Sequence, residues 1–210
     1  MAFMPGFDSY PSECDIIGRL VVGYGELEFS LAWCVSQIID DPDSTFKAIF
    51  RVRGESNRID IADALGIGHV PAGTERGMFE RAIGGMRFCL KVRNQYAHSN
   101  WINSGSGLLF VNIEEIVKKP AQIDLGNLTP YQAELSILRQ QRRYFEHVDA
   151  CLSYLNFEAQ KRSGKLKKNH YACPKALKPP PLHSAPIQPY SLQTPRKSLN
   201  ASRLGSRQGL

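Results

Sequence analysis

Apolar residues recur at helical spacing over four long stretches of the chain. The first starts near Cys14 or Asp15 and runs through Ile17, Leu20, Val21, Tyr24, Leu27, Leu31, Val35 and Ile38. Gly18, Gly23 and Gly25 interrupt it. Each weakens a helix interior by up to about 1 kcal/mol relative to Ala, unless it marks close approach of a neighbouring helix. Residues 40–44, Asp-Asp-Pro-Asp-Ser, stop this helix and start another, with Asp43 or Ser44 as the expected cap. The second stretch spans Ser44 to Leu65, with Phe46, Ile49, Phe50, Ile59, Ala62 and Leu65 inward and a break in two at residues 54–57. Residues 66–73 read as a loop, and their glycines lack the Gly-Lys-Ser/Thr of a phosphate loop. The third helix starts after Thr74 and carries Phe79, Ala82, Ile83, Met86, Cys89, Leu90 and Ala97, ending near Ser99 and Asn100. Trp101–Val111 reads as a hairpin turning at Asn-Ser-Gly-Ser-Gly. The fourth helix is expected from about Thr129 to Gln160, with Leu135, Leu138, Phe145, Val148, Leu152 and Leu155 as its stripe.

The expected fold is therefore all-α: a four-helix up-and-down bundle over residues 10–160, with a small β-hairpin or long loop before the last helix. Beyond it the character changes. Residues 161–210 hold 11 of the 26 Lys and Arg, none of the 20 Asp and Glu, and seven of the 13 prolines. The chain is an acidic body with a basic, Pro-rich tail, and the tail's composition predicts disorder. Such a tail suits nonspecific phosphate contacts, docking on an acidic partner, or a poorly constrained extension such as a frameshift leaves. No apolar run approaches the roughly 20 residues of a membrane helix. The first residues have neither the basic start nor the apolar core of a signal peptide. Five cysteines without a CxxC pair read as small buried hydrophobes in a reducing, cytoplasmic setting rather than as disulfides or a zinc site. The sequons at Asn127 and Asn200 are then chance matches.

The stretch that carries chemistry is Arg93-Asn-Gln-Tyr-Ala-His98. The inner stripe of the third helix passes through Met86, Leu90, Arg93 and Ala97, so a guanidinium sits on the core side, where it needs an acceptor. Asn94 and His98, four apart, share one side of the helix, and the amide is placed to orient the imidazole. Glu28 lies beside the apolar stripe of the first helix and is the expected partner of Arg93 or His98. Histidine serves as general base or acid near neutral pH, and arginine stabilises charge developing on a phosphoryl oxygen. Together they suit attack of an RNA 2′-hydroxyl on the adjacent phosphate, which needs no metal or other cofactor.

Arg93-Asn94-x3-His98 within a four-helix bundle resembles the HEPN superfamily, whose signature is Arg, four to six residues, then His, often with a polar residue after the Arg. Residues 97–101, Ala-His-Ser-Asn-Trp, also look like small bacterial members. The resemblance implies a metal-independent endoribonuclease in a toxin–antitoxin, phage-defence or RNA-processing setting. In it Arg93 stabilises the transition state, His98 moves the proton, Asn94 orients His98 or the phosphate, and Glu28 positions the Arg or His. It also implies a homodimer, which supplies a second His98, and a cognate protein partner in some members.

Two other readings stay open. The bundle is a non-catalytic module binding a nucleotide or a partner protein, or the Arg93–Asn94–His98 group merely satisfies the last carbonyls of its helix. His69 and His147 read as a solvated loop residue and a packed or surface residue, Trp101 and Tyr96 as core in preference to base-stacking or phosphate contacts. Arg139, Arg142 and Arg143 read as a solvated helix face.

Overall fold

The computed structural model describes residues 4–118 and 128–183. It is mostly helical, with a small three-stranded antiparallel sheet. A short helix α1 (Pro5–Ser9) leads into α2 (Pro11–Ile39), which starts ahead of the predicted Cys14 or Asp15. Proline accounts for the early start, because its fixed φ fits the first turn and its missing N–H has no helical acceptor there. The helix ends at Asp40, in the left-handed region at φ 58°. Helix α3 (Pro42–Phe50) is capped by Asp41, whose carboxylate accepts from the Ser44 N–H at 3.0 Å, one turn earlier than the caps expected. Gly54, at φ +88°, divides the second stretch as anticipated, and α4 follows (Glu55–Ile67).

Helix α5 (Thr74–Ala97) leads directly into β1 (Ser99–Asn103), a tight turn and β2 (Leu108–Asn112). In the turn the Asn103 side chain accepts from the Gly105 N–H at 2.8 Å, and Gly105 takes φ +81°. After α6 (Ile113–Val117), β3 (Tyr131–Gln132) adds a third strand, with Phe110 opposite Tyr131, before α7 (Leu135–Arg162). The fourth predicted helix thus begins later than Thr129, because its first residues pair with β2 and do not join the helix.

Helix α2 packs on α7, α5, α3 and α4, and α5 also packs on α7 and α4. Leu20, Leu27, Leu31, Phe79, Met86, Val148 and Leu152 are among the buried residues of this core. The close approach anticipated at Gly18, Gly23 and Gly25 does not occur, since a Cβ there would meet nothing within 4 Å. It occurs at Gly85, where a Cβ would lie 2.6 Å from Val148 on α7. Trp101 packs edge-on to Phe7 at 5.2 Å and beside Phe110, which makes it a core residue as read. Cys34, Cys89 and Cys151 are buried, and burial pushes the Cys34 thiol up to about 12.

The tail expected to be disordered from residue 161 is corrected over its first part. Residues 163–183 form no helix or strand, yet they run as a strap over the body. Lys165 pairs with Asp40 at 2.6 Å, Asn169 donates to Glu158 at 3.0 Å, and Tyr171 packs on Phe157. His183 ends the strap and is only 4% exposed. Composition predicted disorder because a chain rich in Lys and Pro buries little apolar area, and here a few polar anchors do the holding. Residues 184–210, with the Asn200 sequon, and residue Asn127 lie outside the described residues. Among the described residues no helix is long and apolar enough to cross a membrane.

Candidate functional site

The last two turns of α5 divide the predicted motif between two sides. Lys91, Asn94, Gln95 and His98, at helical spacing, form one wall of a cleft of about 360 Å³. The facing side comes from the chain just past the hairpin, with Glu114 and Lys118, and from Leu182 of the strap. His98 closes the helix and is exposed, its side chain retaining 42% of its accessible surface. Its Nδ1 lies 3.3 Å from Glu114 Oε1. A carboxylate at that distance favours the proton on Nδ1, which leaves Nε2 as the basic nitrogen.

The partner of His98 is thus Glu114, not Asn94 or Glu28. The hairpin register explains this. Ser99 pairs with Asn112, so the strands return the chain to the end of α5 and set Glu114, two residues on, beside His98. That pairing was implicit in the predicted hairpin, but a turn displaced by one residue would have put a different side chain there.

Arg93 lies on the other side, half-buried between α5 and α4. Its Nη1 donates to Asn94 Oδ1 at 2.9 Å and lies 3.5 Å from Glu55 Oε1. Arg93 therefore satisfies the need for an acceptor with Glu55 and Asn94. It reaches the cleft only through Asn94: with Oδ1 held, the amide NH2 of Asn94 is the group left for the cleft.

Glu28 is tucked in beside this pair, its side chain 11% exposed. Its ion-pair partner is Arg58 of α4, at 3.2 Å, in place of the expected Arg93 or His98. Burial raises the Glu28 carboxyl above the usual range, opposed by the Arg58 charge and hydrogen bond, and Arg93 acts on it through space only. The Tyr24 hydroxyl, buried beside the same charges, has no hydrogen-bond partner among the described residues. Arg58 and Glu55 follow the predicted break at residues 54–57, and nothing in local spacing singles them out as neighbours of α2 and α5.

The strap supplies a second histidine, His183, next to the cleft-lining Leu182. The Glu134 N–H donates to His183 Nε2 at 2.8 Å, which fixes the proton on Nδ1. That Nδ1–H faces the Tyr96 hydroxyl at 2.8 Å, and the hydroxyl donates to Gln141 Oε1 at 2.5 Å. The Gln141 amide donates in turn to the Pro181 carbonyl at 3.1 Å. Tyr96 is accordingly a packed residue, and burial holds its hydroxyl well above its ordinary range. Burial also depresses the His183 imidazole.

His69 is exposed, with Nδ1 3.0 Å from the Leu65 carbonyl. His147 is partly buried beside Cys151, and burial lowers its pKa. Arg139, Arg142 and Arg143 are exposed, as read, with Arg142 paired to Glu146 at 2.9 Å. Among the described residues no cluster of three or more His, Cys, Asp or Glu is arranged to hold a metal ion. No family model, curated protein or solved structure matches the chain.

Proposed function

We propose that the protein is a cytoplasmic, metal-independent endoribonuclease of HEPN type, in which α2, α3 with α4, α5 and α7 serve as the four helices of the bundle. The observation that carries this reading is His98, exposed on a cleft, with a carboxylate 3.3 Å from its Nδ1. A histidine kept only to satisfy its helix end has no need of that arrangement.

In this reading His98 Nε2 takes the proton of an RNA 2′-hydroxyl. The 2′-oxygen then bonds to the adjacent phosphorus and the P–O5′ bond breaks, leaving a 2′,3′-cyclic phosphate and a 5′-hydroxyl. Lys91 and Lys118 hold the phosphoryl oxygens, and the Asn94 amide, fixed by Arg93, donates to one of them. Glu114 holds the imidazole, the role first given to Asn94 and Glu28. Glu28 keeps a remoter one, through its charge on Arg93 and its pair with Arg58. The leaving oxygen needs a second acid, which a homodimer supplies as a protonated His98 from the other copy. A toxin or phage-defence role, with a cognate protein partner, is the setting this chemistry suits.

The alternative, a non-catalytic module for a nucleotide or a partner protein, is favoured by one observation: Arg93 is already held by Glu55 and Asn94. Incubation of the protein with cellular RNA in EDTA, followed by analysis of product ends, separates the two. Cyclic-phosphate ends are expected. Intact RNA, together with saturable nucleotide binding that His98→Ala weakens, would establish the module.

A further inference from the structure

The outer face of α2 and the adjoining face of α3 carry a cluster of aromatic rings that the described structure leaves uncovered. Phe29 is 52% exposed, Trp33 40% and Phe50 39%. The Phe29 and Trp33 rings lie nearly parallel, 7° apart, with centroids separated by 6.4 Å. Phe46 packs against both, and Phe50 stacks on Phe46 at 5.8 Å and 26°. Three exposed rings gathered around the partly buried Phe46 form an apolar patch of the kind that marks a binding surface.

The charge beside the rings narrows the occupant. Of the carboxylates near the array, Asp43 is taken by Lys47 at 2.6 Å, Glu28 by Arg58 at 3.2 Å and Glu55 by Arg93 at 3.5 Å, which leaves exposed Glu26, one turn before Phe29, against two arginines. Arg51 and Arg53 follow Phe50 directly, are exposed, and make no ion pair among the described residues. The array is therefore aromatic with a surplus of arginine. Flat rings stack on bases whatever their sequence, and arginines follow the phosphates, which is how single strands are held without base readout.

Contacts also tie the array to the Arg93 side of α5, whose one link to the cleft is Asn94. The Arg58 guanidinium lies over the Phe50 ring at 5.6 Å and pairs with Glu28, the residue preceding Phe29. Glu55, at the start of the same helix as Arg58, meets Arg93, and Arg93 holds Asn94 on the cleft wall.

We infer that Phe29, Trp33, Phe46 and Phe50, with Arg51 and Arg53, form a stacking platform for single-stranded RNA that feeds the His98 cleft. The inference rests on the ribonuclease reading for its purpose, but its test does not. Oligo(dT) has no 2′-hydroxyl, so it is bound without being cleaved, and a platform that reads ring faces accepts it as readily as RNA.

The experiment titrates the full chain with a single-stranded oligo(dT) of about 12 nucleotides, on the scale of one single-strand site, and follows tryptophan fluorescence. Trp33 and Trp101 are the two tryptophans, and only Trp33 lies on the platform. Saturable quenching is expected, and Trp33→Phe should remove most of it. Phe29→Ala should weaken binding about tenfold, in the range of one lost base stack. Arg51→Gln with Arg53→Gln should reduce the slope of log K against log salt by about 1.4, for two phosphate contacts on a single strand.

Absence of quenching would overturn the platform, as would quenching indifferent to Phe29→Ala and to the arginine pair. A mass in solution that doubles with concentration and returns to monomer in Phe29→Ala would overturn it too, in favour of an interface between copies of the chain. RNA cleavage without platform binding sinks the platform alone, and binding without cleavage sinks the nuclease alone.

Discussion

Two histidines, His98 and His183, lie at opposite extremes of what a protein does with an imidazole. His183 is 4% exposed, and both ring nitrogens are engaged, by the Glu134 N–H and the Tyr96 hydroxyl. The side chain of His98 is 42% exposed and lines the cleft, with Nδ1 facing Glu114. A buried ring with every polar atom satisfied locks a segment in place. An exposed ring held at one nitrogen is available to a substrate. The two lie on adjoining elements: His183 binds Tyr96, two residues before His98, and Leu182 beside it lines the cleft. The strap and the cleft thus share the end of α5.

Substitution at His98 is expected to have the largest effect, and on activity alone. His98→Ala should reduce RNA cleavage by about 10²- to 10⁴-fold, the usual contribution of a positioned acid or base. Its unfolding midpoint in urea should stay close to native, since surface changes away from special features shift stability by no more than about 0.5 kcal/mol. His183→Ala should do the reverse. It removes the acceptor of the Glu134 N–H and one of the two partners of the Tyr96 hydroxyl, so urea unfolding should show a loss of about 1–3 kcal/mol. Trypsin should then cut faster after Lys175.

A glycine pair extends the contrast between packed and open surfaces. Gly85→Ala drives a methyl to 2.6 Å from Val148 and should lose about 1–3 kcal/mol in thermal or urea unfolding. Gly23→Ala meets nothing and should gain up to about 1 kcal/mol, because it only improves helix propensity.

pH sharpens the histidine comparison further. Burial depresses the folded-state pKa of His183 below its unfolded value of about 6.5. Above that pH the ring is neutral in both states and the strap keeps its full stability. As pH falls below about 6.5 the unfolded chain takes up the proton first, and stability falls toward the folded pKa. The groups facing the ring are Tyr96, Gln141, Phe110 and Glu134, and Glu134 is the only acid among them to oppose the shift. Protection of residues 163–183 against hydrogen exchange, relative to the intrinsic rate at each pH, should fall between pH 7 and pH 5 in the native chain and show no such step in His183→Ala. Glu114→Gln should have the smallest effect. Exposed pairs contribute little, so a loss of cleavage below about fivefold is expected.

The helices were largely legible because each long stretch has an uninterrupted apolar stripe, and the break at Gly54 is written in Gly-Glu-Ser-Asn. Tyr131 and Gln132 were misread as helix because a two-residue strand carries no periodicity and takes its meaning from β2. The candidate site was legible as a set of residues more than as an arrangement. Arg93, Asn94 and His98 are close in sequence, and their unusual chemistry is visible there. Which side of α5 each faces depends on Glu55 and Glu114, at sequence separations of 38 and 16, and on a register the sequence leaves open by one residue. The strap was least legible, because its hold rests on a few polar anchors and composition reports only average burial.

On the proposed function the two histidines do different work, His98 in chemistry and His183 in structure. The most direct measurement sets native protein, His98→Ala and His183→Ala side by side, in RNA cleavage with EDTA and in urea unfolding. The account predicts that His98→Ala unfolds with the native protein and does not cleave, while His183→Ala unfolds at lower urea and, where still folded, leaves the same cyclic-phosphate ends. Cleavage by His98→Ala at the native rate would contradict it.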